Sequence, residues 1–141
     1  MVHALKQIHG LLAPGGCLID MHPNGEPPPI TVRLGEEHHL VGWVRETVEY
    51  DPYELADEAL ETAVSLNLYN LHKQDTFAFI TYCDSLADLQ NYLAEDWSNA
   101  YIEELVVMQI ESMMHSPIPD QEIIVKEIVK IARLQPQTMK Q

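Results

Sequence analysis

Leu5, Ile8 and Leu12 recur at helical spacing near the beginning of the chain, and the pattern stops at Pro14-Gly15-Gly16. Proline lacks an amide donor and glycine accepts positive φ at a helix exit, so this predicts a short helix closed by a turn. Cys17-Leu18-Ile19 with Met21 is apolar without alternation, which predicts a strand covered on both faces. Between His22 and Pro29, four prolines and a glycine exclude helix and central strand and predict a stiff loop. Ile30–Leu34 then alternates at period two, Gly35-Glu36-Glu37 turns, and His39–Glu46 returns as a second strand. Together they predict a β-hairpin set off as an excursion from the main sheet.

Asp51, Pro52 and Glu54 are the residue types that open a helix: a side-chain cap, a first-turn proline and a carboxylate that bonds back to the cap. Ala56, Ala59, Leu60, Ala63, Val64 and Asn67 fall on one stripe and carry that helix to about Leu68. Residues 77–83 predict an internal strand, and Ser85 with Asp88 three positions later caps a helix through about Leu93. After a break at Trp97-Ser98, a helix is expected over Asn99–Met114, its methionines filling core or interface. The run 123–131 reads two ways. Its β-branched density argues for a strand, the favoured reading, while Ile124, Ile128 and Ile131 match a helical stripe. One domain over 1–134 with a fraying tail over 135–141 is the expected organisation.

The helix, Leu-x-Pro-Gly-Gly turn and apolar strand over Ala4–Asp20 resemble the element leading into the fifth strand of class I S-adenosylmethionine-dependent methyltransferases. Phe77–Tyr82 with Asp84-Ser85-Leu86, and the closing Arg133-Leu134-Gln135-Pro136, are similar to the last third of some bacterial proteins of that kind. The resemblance covers nearly the whole chain and only the second half of that fold. It implies an α+β fold, in part α/β: a small mixed sheet of residues 17–21, 123–133 and 77–83, with the final strand antiparallel and inserted between the other two. It also implies that the half which holds the cofactor is missing. The six glycines, at 10, 15, 16, 25, 35 and 42, form no G-x-G-x-x-G turn after a strand. No cofactor is therefore expected on this chain, and S-adenosylmethionine only where a complementary half is supplied.

Composition narrows the partners. With 22 acidic against 8 basic residues the formal net charge is −14, a field that repels phosphate backbones and anionic membranes. Nucleic acid and membrane are not expected partners, and a cytoplasmic location is the expectation, since the N-terminus lacks the regions of a signal peptide and no run approaches the ~20 apolar residues of a span. Cys17 and Cys83 fall in predicted strands without C-x-x-C spacing and are expected to be reduced core residues.

In the resembled fold the fourth strand lies beside the fifth and is not encoded here. One side of the strand at Cys17–Met21 is then left without backbone partners, an edge that well-behaved proteins cover. A homodimer pairing these edges is the expected solution. The alternatives are a separate chain carrying the cofactor half, or the hairpin at 30–46 folding back over the edge.

In the resembled fold the loop after that strand lies near the substrate at the carboxyl ends of the strands, which implies Asp20, His22, Asn24 and Glu26 as candidate ligand-contacting residues. Among these, His22 as general base oriented by Glu26 is the candidate catalytic pair. His38 and His39, beside Glu36 and Glu37, are candidate metal ligands, although neighbouring strand side chains point to opposite faces. The expected function is a non-catalytic, methyltransferase-derived interaction or small-molecule-binding module, dimeric. The alternative is a truncated or split methyltransferase that needs a missing N-terminal half or a partner chain.

Overall fold

The computed structural model describes residues 1–47 and 52–138. The cap expected at Asp51, and residues 139–141 of the expected tail, lie outside the described residues. The described residues form an α+β protein of four helices and seven strands: α1 Val2–Leu11, β1 Leu18–Pro23, β2 Pro29–Leu34, β3 Glu37–Trp43, β4 Arg45–Glu46, α2 Pro52–Ser65, β5 Tyr69–Cys83, α3 Leu86–Asp96, β6 Ala100–Tyr101, α4 Glu104–Met114 and β7 Gln121–Pro136. The α+β class read from the sequence is the one observed. Among the described residues no helix is long and apolar enough to cross a membrane.

The main sheet has five strands in the order β1-β7-β2-β3, with β5 also paired to β7. The order expected for the three sequence-predicted strands, the last between the other two, is present. Two features differ from expectation. The hairpin β2–β3 is no excursion, because β2 pairs antiparallel with β7 from Ile30↔Val125 to Leu34↔Gln121. The strand expected at 77–83 begins eight residues earlier, at Tyr69. Residues group into two compact units, one of Met1–Gly25, Tyr50–Phe77 and Ile128–Gln141, the other of Glu26–Glu49 and Ala78–Glu127.

In the first unit, α1 ends as Pro14 requires, and the turn closes with the Gly16 amide donating to the Ala13 carbonyl at 2.8 Å. Gly15 sits at φ +78°, backbone that a side chain would strain. β1 pairs antiparallel with β7 from Leu18↔Leu134 to Pro23↔Val129. α2 stops at Ser65, short of the expected Leu68, because Asn67 takes the left-handed conformation (φ 56°). The Leu68 amide bonds back to the Ala63 carbonyl and the Asn67 amide to Val64, the bond pair of a Schellman stop. Asn67 is therefore the helix terminator and not part of its stripe. The buried alanines 56, 59 and 63 let α2 approach closely, and the core gathers Leu5, Ala59, Ala63, Tyr69, Ala132 and Leu134. β7 continues to Pro136, and the Gln137 amide bonds the Leu68 carbonyl, so residues 135–137 of the expected tail are held.

In the second unit, Ile30, Val32, Val41, Leu89, Ile110, Ile123 and Val125 form the core. Ser85 caps α3 as expected, its side chain accepting from the Asp88 amide. The helix expected from Asn99 starts only at Glu104, because Ala100 and Tyr101 pair as β6 with Glu46 and Arg45. Arg33 ties the hairpin to β7, donating to Asp120 at 3.0 Å and Glu122 at 2.9 Å.

Candidate functional site

Strand alternation builds the site. On β1, Leu18, Asp20 and His22 share one face and are half-buried, while Ile19 and Met21 on the other are 49% and 58% exposed. The strand is thus covered on one face only, not on both as its apolar run suggested. It also runs to Pro23, so Asp20 and His22 lie on a strand and not in a loop. Register sets Asp20 opposite Ala132 and His22 opposite Lys130 on β7. Directly opposed side chains project from the same face, so Lys130 joins Asp20 and His22 there.

α2 supplies the rest. One step around the helix from the buried alanines, Asp57, Leu60, Glu61 and Val64 repeat at spacings of three and four, one stripe facing a common space. That space is a cavity of about 580 Å³ bounded by these residues, Asp20, His22, Leu71, Asp75, Lys130, Ile131 and Leu134.

At its polar end the side chains form a chain of contacts. His22 Nδ1 lies 2.6 Å from Asp20 Oδ2 and His22 Nε2 lies 2.8 Å from Asp57 Oδ1. Lys130 Nζ donates to the other oxygen of Asp57. The imidazole is only 10% exposed, against 26% for Asp20 and 34% for Asp57. Carboxylates only accept, so donation to both takes an N–H on each ring nitrogen. Burial pushes the Asp57 carboxyl up, but hydrogen bonds from Lys130 and His22 outweigh it and hold the group below its ordinary value of 3.8.

A carboxyl held low in the folded state stabilises it at pH above the ordinary value, and that contribution is lost as pH falls through the folded-state value. Asp57→Asn is therefore expected to cost about 1 kcal/mol of unfolding free energy near pH 6, a partly exposed pair's share. The gap to the unmodified chain should close as the pH is taken below 3.8, read by urea unfolding at a series of pH values. A gap that stays constant down to pH 2 would dismiss the ion pairs as its source.

Of the sequence-predicted residues, Asp20 and His22 meet at this site. Asn24 lies in the same unit, its amide bonded to the Ile128 carbonyl, and Glu26 belongs to the other unit. The carboxylates against the His22 ring are Asp20 and Asp57. His38 and His39 lie on β3, where His39 Nε2 pairs with Glu37 at 3.3 Å. Among the described residues no three His, Cys, Asp or Glu side chains are grouped to hold a metal ion. Asp57 and Lys130 went unread in the sequence. The only local signal for Asp57 is its stripe with Leu60, Glu61 and Val64, offset by one position from the alanines.

No protein-family model, curated protein or solved structure matches this chain.

Proposed function

We propose that this chain is a small-molecule-binding module, related to the C-terminal half of a class I S-adenosylmethionine-dependent methyltransferase and acting as a binder, not a catalyst. The observation that carries this reading is the first unit's cavity: its volume, about 580 Å³, falls in the range of small-ligand sites, and it joins an apolar wall to a few fixed polar groups. Binding is favoured over catalysis because both His22 nitrogens are engaged by carboxylates of the protein, which leaves neither of them free to meet a substrate. The module works in the cytoplasm, where Cys17 and Cys83 stay as free thiols. It works as a homodimer through the edge of β1, which among the described residues has β7 as its one strand neighbour and carries exposed Ile19 and Met21.

1-Hexanol tests the cavity, as an uncharged probe small enough to enter it. Methyl resonances of Leu60, Val64 and Leu134 are expected to shift in a saturable way on titration, and Leu60→Trp, which fills the space from α2, is expected to weaken binding about tenfold or more. Shifts scattered over the surface, or a Leu60→Trp variant that binds equally well, would remove the reading. Light scattering tests the dimer, and a monomer at 0.1 mM, as an order of magnitude for weak association, would remove that part alone.

A second reading is favoured by the strand order β1-β7-β5, expected from the resemblance, and by apolar residues left wet, such as Phe79 at 53% and Tyr82 at 59% exposed in the second unit. In it the chain is part of a methyltransferase completed by a partner that carries the cofactor half. The first reading expects no heat when S-adenosylmethionine is titrated into the chain alone. Micromolar binding would overturn it.

A further inference from the structure

The charges on the cavity wall are unequal. Four carboxylates, Asp20, Asp57, Glu61 and Asp75, face it with one lysine and one histidine. Asp57 holds Lys130 and His22, and Asp20 holds His22 from its other side. Glu61 and Asp75 have no cationic side chain against them among the described residues; Asp75 only accepts from the Thr76 amide next to it. The lysine and the histidine are thus already committed at one end of the cavity, and two carboxylates remain on the rest of its wall. Leu60, Val64, Leu71, Ile131 and Leu134 give an occupant an apolar surface, and the remaining polar lining, Ser65, Gln74 and Thr76, is uncharged.

Resting on the binding reading above, we propose that the cavity takes an organic cation: a protonated amine or related ammonium group carried on an apolar body of several carbons. The ammonium lies by Glu61 and Asp75, where it meets carboxylates that no protein cation screens. The body lies on the aliphatic wall, where its apolar surface is removed from water. A bare metal ion fits less well, because the ligating side chains are not grouped for one and the aliphatic wall offers nothing to a hydrated ion. An anion meets the uncompensated carboxylates and the repulsive field of a chain at −14. That same field concentrates cations near the protein and makes the binding sensitive to salt.

Three probes of one chain length separate the possibilities: hexylamine, protonated at neutral pH, 1-hexanol and hexanoate, each titrated into the full chain at low ionic strength and followed by the same methyl resonances. Hexylamine is expected to bind about tenfold tighter than hexanol, the worth of two ion pairs to the exposed Glu61 and Asp75, and hexanoate most weakly. In a Glu61→Gln/Asp75→Asn double variant the amine-to-alcohol ratio is expected to fall towards one, and 0.5 M salt should compress it in the unmodified chain. Hexanol binding as tightly as hexylamine, or hexanoate binding tightest, would overturn the cation class while leaving the cavity a binding site. A tenfold ratio that persists in the double variant would overturn the assignment to Glu61 and Asp75. Failure of all three probes would overturn the binding reading itself, and the cation class with it.

Discussion

Tyr69→Ala is expected to remove about 3–5 kcal/mol of unfolding free energy, the cost of truncating a fully buried aromatic side chain to a methyl. Among the described residues Tyr69 is the largest that is completely buried, packed among Leu5, Ala59, Ala63, Ala132 and Leu134. Three of the six residues in that core are alanines, which are too small to fill the space left behind. The hydroxyl adds a specific tie, donating to the Leu5 carbonyl at 2.8 Å, while the ring meets the edge of His9 with centroids 5.4 Å apart. Through these contacts β5 holds α1 in place. Tyr69→Phe keeps the ring and strips one donor from a buried carbonyl, so about 1 kcal/mol is expected. Urea unfolding of both variants, with hydrogen exchange over residues 2–11, reads the two parts separately. An alanine variant within about 1 kcal/mol of the unmodified chain would mean that this cluster is not a core.

How much of this was legible depended on whether the deciding contact was local. The turn after α1 and the start of β1 followed from Pro14-Gly15-Gly16, and the start of α3 from Ser85 and Asp88, because each is settled within four residues. β7 was legible as a strand from its β-branched residues but not as to its faces: its buried positions are Ile123 and Val125 in one unit, Ala132 and Leu134 in the other, so the parity changes along the run. The first half of β5 was not legible. His72, Lys73, Gln74, Asp75 and Thr76 are polar in succession, so no alternation marks a strand whose pairing with β7 is set elsewhere in the chain. At the site, Asp20 and His22 were found because they sit together in sequence. Asp57 stands 35 positions from His22 on a helix, and only the packing of that helix brings its carboxylate to the ring.

Gly42→Ala is expected to cost about 1–3 kcal/mol although alanine is the better strand residue, because the added carbon has nowhere to go. An ideal Cβ at position 42 would stand 2.5 Å from Val106 Cγ2, 2.9 Å from Cγ1 and 3.3 Å from Cβ. Gly42 is buried on β3, and no left-handed backbone is involved, so the constraint is space alone. Valine has a stiff χ1, and rotation that clears one methyl brings the other in. Relief must therefore come from moving α4 away from the hairpin, which loosens the core that Ile110 shares with Ile30 and Val32. This makes a double-mutant cycle decisive. Val106→Ala alone loses two methyls from a half-buried position, at about 1 kcal/mol. It also removes the two closest of the three atoms that an alanine at 42 would meet, so the double variant should be more stable than the sum of the single effects predicts, by about 1 kcal/mol or more. Additive losses in urea unfolding would show that the close approach of α4 to β3 is not what keeps glycine at this position.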